Sequence, residues 1–204
     1  MIHPHKSIVI LGLTTLVVTS VWVDRLSAST PGDQVKATID RVMETLKDPR
    51  LRGDVNKKKR REKLRQTILP RFDFAEMAKR ALGRQWNRYP DKQREFVSAF
   101  AQLLEDSYAD QIEAAKGDKV AYVNERTEPG IAEVDTKIIS SDGEETPVLY
   151  KLHPVGSDWK VYDVVIANIS LVNNYRSQFN RILSHSSFDD LIKMIKEKGT
   201  EKNS

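Results

Sequence analysis

Few side chains in this sequence have the types and the spacing that catalysis or metal binding requires. Beyond residue 28 the only histidines are His153 and His185, and neither stands beside a pair of acids at the spacing of a metal site. The sequence contains no Gly-x-Ser-x-Gly elbow for a nucleophile and no glycine-rich loop for a phosphate. We therefore predict no catalytic residue, no metal ligand and no cofactor.

Asp163 is the one acid whose position suggests a catalytic role. It lies in the strand-like run 159–167, where a regular pleat places it on the same face as Val161 and Val165. A carboxyl group among apolar side chains could act as a general base with a raised pKa. The alternative, which we favour, is a paired carboxylate that contacts Arg176 or the backbone N–H groups of the following helix.

The segment around Asp163 combines two kinds of element. Residues 159–182 begin with β-branched side chains and end with apolar residues at helical spacing, among them Val172 and Phe179. A strand that is apolar on both faces and leads directly into an amphipathic helix needs cover on both sides. The protein's own helices and an apolar ligand are the two candidates for that cover.

The first 28 residues have the order of a secretory signal peptide. Lys6 precedes the apolar run 7–18, and a more polar stretch ends at Ala28, the possible cleavage residue. The alternative is an uncleaved membrane anchor, but the apolar run is shorter than the roughly 20 residues of a spanning helix. We predict that residues 1–28 are a signal peptide and that the chain is exported.

The composition fits an exported domain that is stabilised by its core alone. The sequence has 204 residues and no cysteine, so it forms no disulfide and carries no lipid-anchor cysteine after the signal. The net charge is +4, and basic residues concentrate between Lys57 and Arg65. In an exported chain this segment favours an anionic lipid surface or an acidic partner over nucleic acid. A solvated helix face is the alternative.

The spacing of apolar residues predicts helices, then four strands, then two more helices. Helix starts are indicated at Thr30 and Asp73, each followed by an acid three residues later, and the longest helix is predicted over residues 91–116. The four β-rich runs are residues 119–126, 131–139, 146–153 and 159–167. Turn residues separate the runs, and such short connections imply an antiparallel meander. The predicted fold is α+β, with helices packed around one sheet.

An apolar surplus stands out on both the sheet and the helices. Spacing alone favours an ordinary solid core, but the same side chains could line a cavity.

Several separated motifs resemble one known family. They are Phe72–Ala78, Leu82-Gly83 with Trp86, the residues Gln93, Phe96, Phe100, Leu103 and Leu104, then Val161–Val164 and Ile169–Phe179. In this order they resemble the MlaC family, also called the toluene-tolerance or Ttg2-type auxiliary component. The resemblance extends from Val35 to Lys198. Many members carry Gly where this chain has Asn168, and a related branch is associated with hopanoid lipids.

The resemblance implies a soluble periplasmic protein that carries phospholipid between the inner and outer membranes of Gram-negative bacteria and so maintains the lipid asymmetry of the outer membrane. The implied partners are an inner-membrane ABC transporter with an MCE component and an outer-membrane lipoprotein complex, without nucleic acid, and the protein is expected to be a monomer. The implied fold of residues 29–204 is a single lipid-binding domain. It resembles the nuclear-transport-factor-2 cone, with a curved four-stranded meander and helices around an apolar cavity. No catalytic residue is implied.

The resemblance also turns the apolar surplus into a predicted lipid-binding surface. The predicted lipid-binding residues are Phe74, Met77, Leu82, Trp86, Phe100, Leu103, Leu104, Val148, Tyr150, Leu152, Val161, Val165, Leu171, Val172, Tyr175 and Phe179. Val161 and Val165 are expected to form the cavity floor, and Tyr175 and Phe179 one wall. Two alternatives stay open, namely a small-molecule enzyme of the same cone-like fold with Asp163 as its base, and a carrier of hopanoid-related lipid.

Overall fold

The computed structural model describes residues 29–201, so the predicted signal peptide lies outside the described residues. Six α-helices and five β-strands occur in the described range. The helices are α1 (Pro31–Lys47), α2 (Lys57–Ile68), α3 (Phe74–Leu82), α4 (Gln93–Ala114), α5 (Leu171–Leu183) and α6 (Phe188–Glu201). The strands are β1 (Lys119–Glu128), β2 (Ile131–Ile139), β3 (Glu145–Val155), β4 (Asp158–Ile166) and β5 (Ile169–Ser170). None of these helices is long and apolar enough to span a bilayer.

The strands form one antiparallel sheet in the order β1-β2-β3-β4-β5. The predicted α+β fold and its four-strand meander are confirmed, and the difference is the short fifth strand. A two-residue hairpin joins β4 to β5, and its residues Ala167 and Asn168 have φ angles of 47° and 67°. Positive φ at both turn positions matches the right-handed twist of the flanking strands. The turn therefore ends β4 one residue earlier than predicted.

The sheet has one apolar face and one charged face. On β2 the side chains of Ala132 and Val134 are buried, whereas Glu133 between them is only half-buried. Glu133 pairs with Arg126 on β1 at 2.6 Å and with Lys151 on β3 at 3.4 Å. The alternation predicted for this strand is therefore present, and its apolar face is turned towards α1.

Strand β4 contains a bulge at Tyr162. The register with β3 shifts by one residue between Lys151 and Leu152, which leaves Tyr162 without a partner across the pair. An extra residue in one strand reverses the alternation of the side chains beyond it. Val164 therefore faces the same side of the sheet as Val161, because it pairs with an apolar-face residue of β3.

Because of the bulge, the regular pleat predicted for this run is wrong. Asp163 pairs with Lys151, and Val165 pairs with Leu149, so both lie on the face opposite to Val161. In a regular strand all three side chains would lie on the same face of the sheet.

Helix α3 is attached to β4 through its first residues. Asp73 Oδ1 accepts a hydrogen bond from the backbone N–H of Glu76 at 2.9 Å, as expected of an N-cap residue. In a capping box the side chain of Glu76 would accept a hydrogen bond from the Asp73 N–H in return. This second bond is absent among the described contacts, because the Asp73 N–H donates to the carbonyl oxygen of Val161 at 2.9 Å. At α1 both halves of the box are formed, between Thr30 and Asp33.

Two apolar clusters stabilise the fold. The first is a solid core between α3, α4, α5 and α6, where the ring centroids of Phe100 lie 5.2 Å from Tyr175 and 5.5 Å from Phe179. Edge-to-face aromatic pairs of this kind contribute about 0.5–1.5 kcal/mol each beyond their buried area. The second cluster joins Val35 of α1 to the apolar face of the sheet, including Val134.

Candidate functional site

An apolar cavity of about 490 Å³ lies between the sheet and helices α1, α2 and α4. Ligand sites in proteins have volumes of about 300–1,000 Å³. The apolar lining consists of Val35, Ile39, Val42, Met43, Leu46, Leu64, Ile68, Leu69, Phe72, Phe74, Met77, Leu104, Tyr108, Ala109, Ile112, Ala115, Val120, Ile138, Val148, Tyr150, Val161, Val164, Ile166 and Leu171. These side chains come from one stripe on each helix and from one face of the sheet.

The cavity exists because α4 has different neighbours at its two ends. Towards its start, Phe96 and Phe100 are fully buried in the solid core that α3, α5 and α6 complete. Towards its end, Tyr108 and Ile112 are only half-buried and line the cavity, with α1 and α2 on the other side. One continuous apolar stripe therefore serves as core over one half of the helix and as cavity wall over the other.

Ion pairs connect α2 to α4 along the edge of the cavity. Arg60 Nε lies 2.7 Å from Glu113 Oε1, and Arg61 Nε lies 3.0 Å from the other oxygen of the same carboxylate. One turn further along, Arg65 Nε lies 3.1 Å from Glu105 Oε2. Since α2 buries only one side chain, these pairs are a large part of what holds it against α4.

The basic segment Lys57–Arg65 thus has two separate parts. Its arginines Arg60, Arg61 and Arg65 pair with acids of α4. The lysines at its start, Lys57 to Lys59, are exposed. Only the exposed part fits the predicted docking to an acidic partner or an anionic surface, and that docking stays a prediction.

Two phenols line the cavity without adding charge to it. Burial raises the pKa of Tyr150 to about 12, and it also raises the pKa of Tyr108. Both side chains are therefore neutral at pH 7. Their rings extend the apolar lining, and each neutral hydroxyl adds a single polar group to it.

Asp163 binds the start of α5 and does not face the cavity. Its Oδ2 accepts a hydrogen bond from Ser170 Oγ at 2.6 Å, and its Oδ1 accepts one from the backbone N–H of Val172 at 3.1 Å. A carboxylate in this position satisfies otherwise unpaired N–H groups and is favoured by the helix dipole. Of the two predicted partners, the backbone is the one observed. Arg176 instead lies against Gly83.

His153, one of the two histidines in the described range, makes a structural contact. His153 Nε2 lies 3.0 Å from Asp73 Oδ2, and its ring meets the ring of Tyr162 edge-on. The contact therefore joins β3 to the start of α3, outside the cavity lining. Within residues 29–198, no three His, Cys, Asp or Glu side chains come together as a metal site.

The structure places the sixteen predicted lipid-binding residues in three kinds of position. Seven line the cavity, namely Phe74, Met77, Leu104, Val148, Tyr150, Val161 and Leu171. Six lie in the solid core, namely Leu82, Phe100, Leu103, Val172, Tyr175 and Phe179. Trp86 packs beside that core, Leu152 is buried between α1 and the sheet, and Val165 faces the other side of the sheet. The expected floor at Val165 and wall at Tyr175 and Phe179 are therefore not part of this cavity, and lipid contact by all sixteen residues stays a prediction.

Part of the helical side of the cavity is absent from the predicted lipid-binding residues. Val35 and Ile39 of α1, Ile68 of α2 and Ile112 of α4 line the cavity, and none of them was predicted to bind lipid. The available signal was the length of the α4 stripe, which continues past the part of the helix that the other core helices cover.

Comparison with known proteins identifies the family of this chain. A model of the family described as MlaC protein matches residues 36–197. The chain belongs to the MlaC family. The resemblance drawn from the separated motifs is thereby confirmed, and so is the prediction of a protein that is not an enzyme.

Two known proteins match most of the chain in sequence. One is the intermembrane phospholipid transport system binding protein MlaC of Haemophilus influenzae, which is 24% identical over 144 residues that cover 68% of this chain and 67% of the relative. The other is the toluene tolerance protein ttg2D of Pseudomonas putida, which is 24% identical over 173 residues that cover 83% of this chain and 80% of the relative.

A solved structure shares the MlaC-family fold described above. It is a phospholipid-binding protein from Ralstonia solanacearum in complex with a phospholipid. The match has a TM-score of 0.77 and 28% sequence identity, and it covers 86% of this chain and 100% of the other.

Proposed function

We propose that this MlaC-family chain binds phospholipid in its cavity and carries it through the periplasm between the inner and outer membranes. The observation that carries the proposal is the cavity itself, about 490 Å³ of space with a mainly apolar lining. The name of the Haemophilus influenzae relative and the phospholipid complex of the Ralstonia solanacearum structure support it.

The energetics of lipid transfer explain why such a cavity is sufficient. Each methylene exposed to water costs about 0.8 kcal/mol, so a two-chain lipid with roughly 30 of them needs on the order of 20 kcal/mol to cross water alone. A carrier must offer an apolar space nearly as favourable as a bilayer, so that loading and unloading are both close to neutral. A lining of aliphatic and aromatic side chains provides this without a tight polar anchor for each headgroup.

The proposed route has a partner at each membrane. We infer an inner-membrane ABC transporter with an MCE component at one end and an outer-membrane lipoprotein complex at the other, which together maintain the lipid asymmetry of the outer membrane. The similarity to a protein named as the binding component of an intermembrane transport system supports this arrangement. Site-specific cross-linking from exposed positions should capture both partners; capture of neither would contradict the route while leaving lipid binding intact.

Export is a further part of the proposal. We propose that residues 1–28 direct the chain to the periplasm and are removed. The mass of the protein from a periplasmic extract should correspond to a start close to Ser29. A full-length chain that stays with the membrane fraction would support the anchor instead.

Lipid binding is tested by native mass spectrometry of the exported protein after gentle purification. The wild-type protein should carry phospholipid, and a ligand-free protein that also takes no lipid from vesicles would contradict the proposal. The variant Ile112→Arg places a charge in the cavity wall at a half-buried position and should abolish the bound lipid without unfolding the protein. Ser98→Arg, at an exposed position of the same helix, is the matched control and should keep it.

A further inference from the structure

The charges around the cavity are unequally balanced. Among the described residues, three arginines line it, Arg61, Arg65 and Arg71. Arg61 and Arg65 are paired with the carboxylates of Glu113 and Glu105 at 3.0 and 3.1 Å. Arg71 has no described carboxylate within ion-pair distance of its guanidinium, so it is the cavity-lining cation whose charge no described acid neutralises directly.

Neutral acceptors hold Arg71 in place. It lies at the end of the 3₁₀ turn Leu69–Arg71 that follows α2. Its Nη1 donates to the carbonyl oxygen of Trp159 at 2.7 Å and also to the side-chain oxygen of Gln34, and its Nε donates to Thr38 Oγ1 at 3.3 Å. These bonds fix the guanidinium between α1 and β4. Its Nη2 donates to no described residue, so part of its hydrogen-bonding capacity is unused.

The neighbouring charges compensate the charge of Arg71 only in part. Arg41 lies close enough for its charge to oppose that of Arg71, and Asp158 is the acid that favours it. Asp158 is shared with Lys160, whose Nζ lies 3.5 Å away and also donates to the carbonyl oxygen of Pro70. Arg71 therefore shares with Lys160 the one carboxylate that favours its charge among the described residues.

A half-buried guanidinium with neutral partners is costly unless something else satisfies it. Burial lowers the pKa of Arg71, but an arginine stays protonated at neutral pH. Planar guanidinium groups bind phosphate oxygens through parallel N–H bonds, which are stronger than bonds to neutral acceptors. Phosphate is also the one charged group that every phospholipid carries next to its acyl chains.

We propose that Arg71 binds the phosphate of the phospholipid in the cavity and thereby distinguishes phospholipids from lipids that lack a phosphate. This inference rests on the proposed function and adds the chemistry that selects its ligand. A single phosphate contact makes the site selective for the class of lipid and tolerant of the headgroup beyond the phosphate. It also excludes hopanoid-like lipids without a phosphate as good ligands.

The test compares lipids that share acyl chains and differ in the phosphate. The exported protein is incubated with vesicles of phosphatidylethanolamine and phosphatidylglycerol that contain diacylglycerol with the same chains. The lipid it extracts is then quantified by mass spectrometry. Wild-type protein should enrich phospholipid over diacylglycerol by about ten-fold or more, the effect expected of one charge-assisted hydrogen-bonded contact. In Arg71→Gln the enrichment should fall by about the same factor.

Two control variants distinguish the effect of the Arg71 charge on lipid selectivity from its effect on the stability of the fold. Arg94→Gln removes an exposed arginine of α4 that does not line the cavity, and it should keep the wild-type enrichment. Thr38→Val removes one hydrogen bond to Arg71 but keeps its charge, so it should lower stability more than selectivity. If Arg94→Gln loses the enrichment as completely as Arg71→Gln does, the assignment to Arg71 is wrong.

A second measurement needs no variant to fold. The Nε–H resonance of Arg71 in the wild-type protein should shift when phosphatidylglycerol is loaded from vesicles and should not shift with diacylglycerol. Inorganic phosphate alone should produce only a weak shift at millimolar concentration. Saturation by micromolar inorganic phosphate would identify a site for the free ion and overturn the inference.

The possible failures are distinguishable. If wild-type protein extracts neither lipid, the proposed function itself is contradicted. If it extracts both lipids in the proportions of the vesicle, or if folded Arg71→Gln keeps the enrichment, lipid binding stands and the phosphate contact is wrong.

Discussion

Arg60 and Glu113 form an ion pair of 2.7 Å that joins α2 to α4, and Arg61 binds the same carboxylate from the next position along the chain. The two side chains of the first pair are only 16% and 12% exposed, so solvent screens them less than it screens a surface pair. The cavity lies between the same two helices. The ion pairs therefore set how firmly α2 closes this edge of the cavity.

We expect Glu113→Gln to lower the free energy of unfolding by about 1–2 kcal/mol, between the values for exposed and for buried pairs. The variant should also exchange lipid with vesicles faster than the wild type, because α2 is then held less firmly. Urea unfolding and a fluorescent-lipid transfer assay measure the two effects. Asp40→Asn breaks the exposed pair with Lys36 and should change stability by less than about 0.5 kcal/mol; an equal effect of both variants would show that Glu113 has no special role.

Substitutions of Val164 and Val165 test whether the space beside β4 is an open cavity. Val164 lines the cavity, and Val165, its neighbour in β4, faces the other side of the sheet. We expect Val164→Trp to fill the cavity, displacing most of the bound lipid at a stability cost below the about 1–3 kcal/mol of overpacking a solid core. Val165→Trp should keep the lipid. A Val164→Trp protein that retains lipid and loses several kcal/mol of stability would indicate a solid core at this position.

Some features of the fold could be predicted from the sequence, but the faces on which Val164 and Val165 lie could not. Helix starts at Thr30 and Asp73 and the turns between strands follow from local chemistry, and the structure has both. The bulge at Tyr162 leaves no comparable local signal, because an extra residue in a strand is stabilised by tertiary contacts such as the stacking of Arg80 on the Tyr162 ring at 4.0 Å. This one extra residue reverses the face of the sheet on which each later side chain of β4 lies.

The division between core and cavity could not be read from spacing either. Phe100 and Ile112 belong to the same apolar stripe of α4, and periodicity treats them alike. What separates them is the cover supplied by α5 and α6, which begin at Leu171 and Phe188, far away in the sequence. The family motif residues of α4 lie in the half of the helix that other helices cover. The lipid-binding residues predicted from the motifs therefore include several that lie in the solid core.

Asp163 should matter for stability and not for lipid binding. Asp163→Ala removes both acceptors at the start of α5 and should cost about 2–3 kcal/mol in the free energy of unfolding. Asp163→Asn keeps one acceptor and should cost about half as much, with the amount of bound lipid unchanged. Ser170→Ala removes the N-cap side chain next to it and should cost about 1 kcal/mol. A folded Asp163→Asn protein that loses its lipid would instead give the carboxylate a direct role in the site.

Tyr150 should make the protein sensitive to alkaline pH. Its pKa is about 12 in the folded protein, compared with about 10 for a phenol in an unfolded chain. Below pH 10 the phenol is neutral in both states. Between pH 10 and pH 12 the unfolded chain loses its proton first, so stability falls as the pH rises through this window.

The variant Tyr150→Phe removes this contribution. Two pKa units correspond to about 2.7 kcal/mol, and because the side chain is only half-buried we expect the wild type to lose less than this through Tyr150. The measurement is the difference in the free energy of unfolding between wild type and Tyr150→Phe, taken at pH 8 and again at pH 11. The difference should shift in favour of the variant at the higher pH. If it is the same at both values, burial in the cavity wall does not hold the phenol in its neutral form.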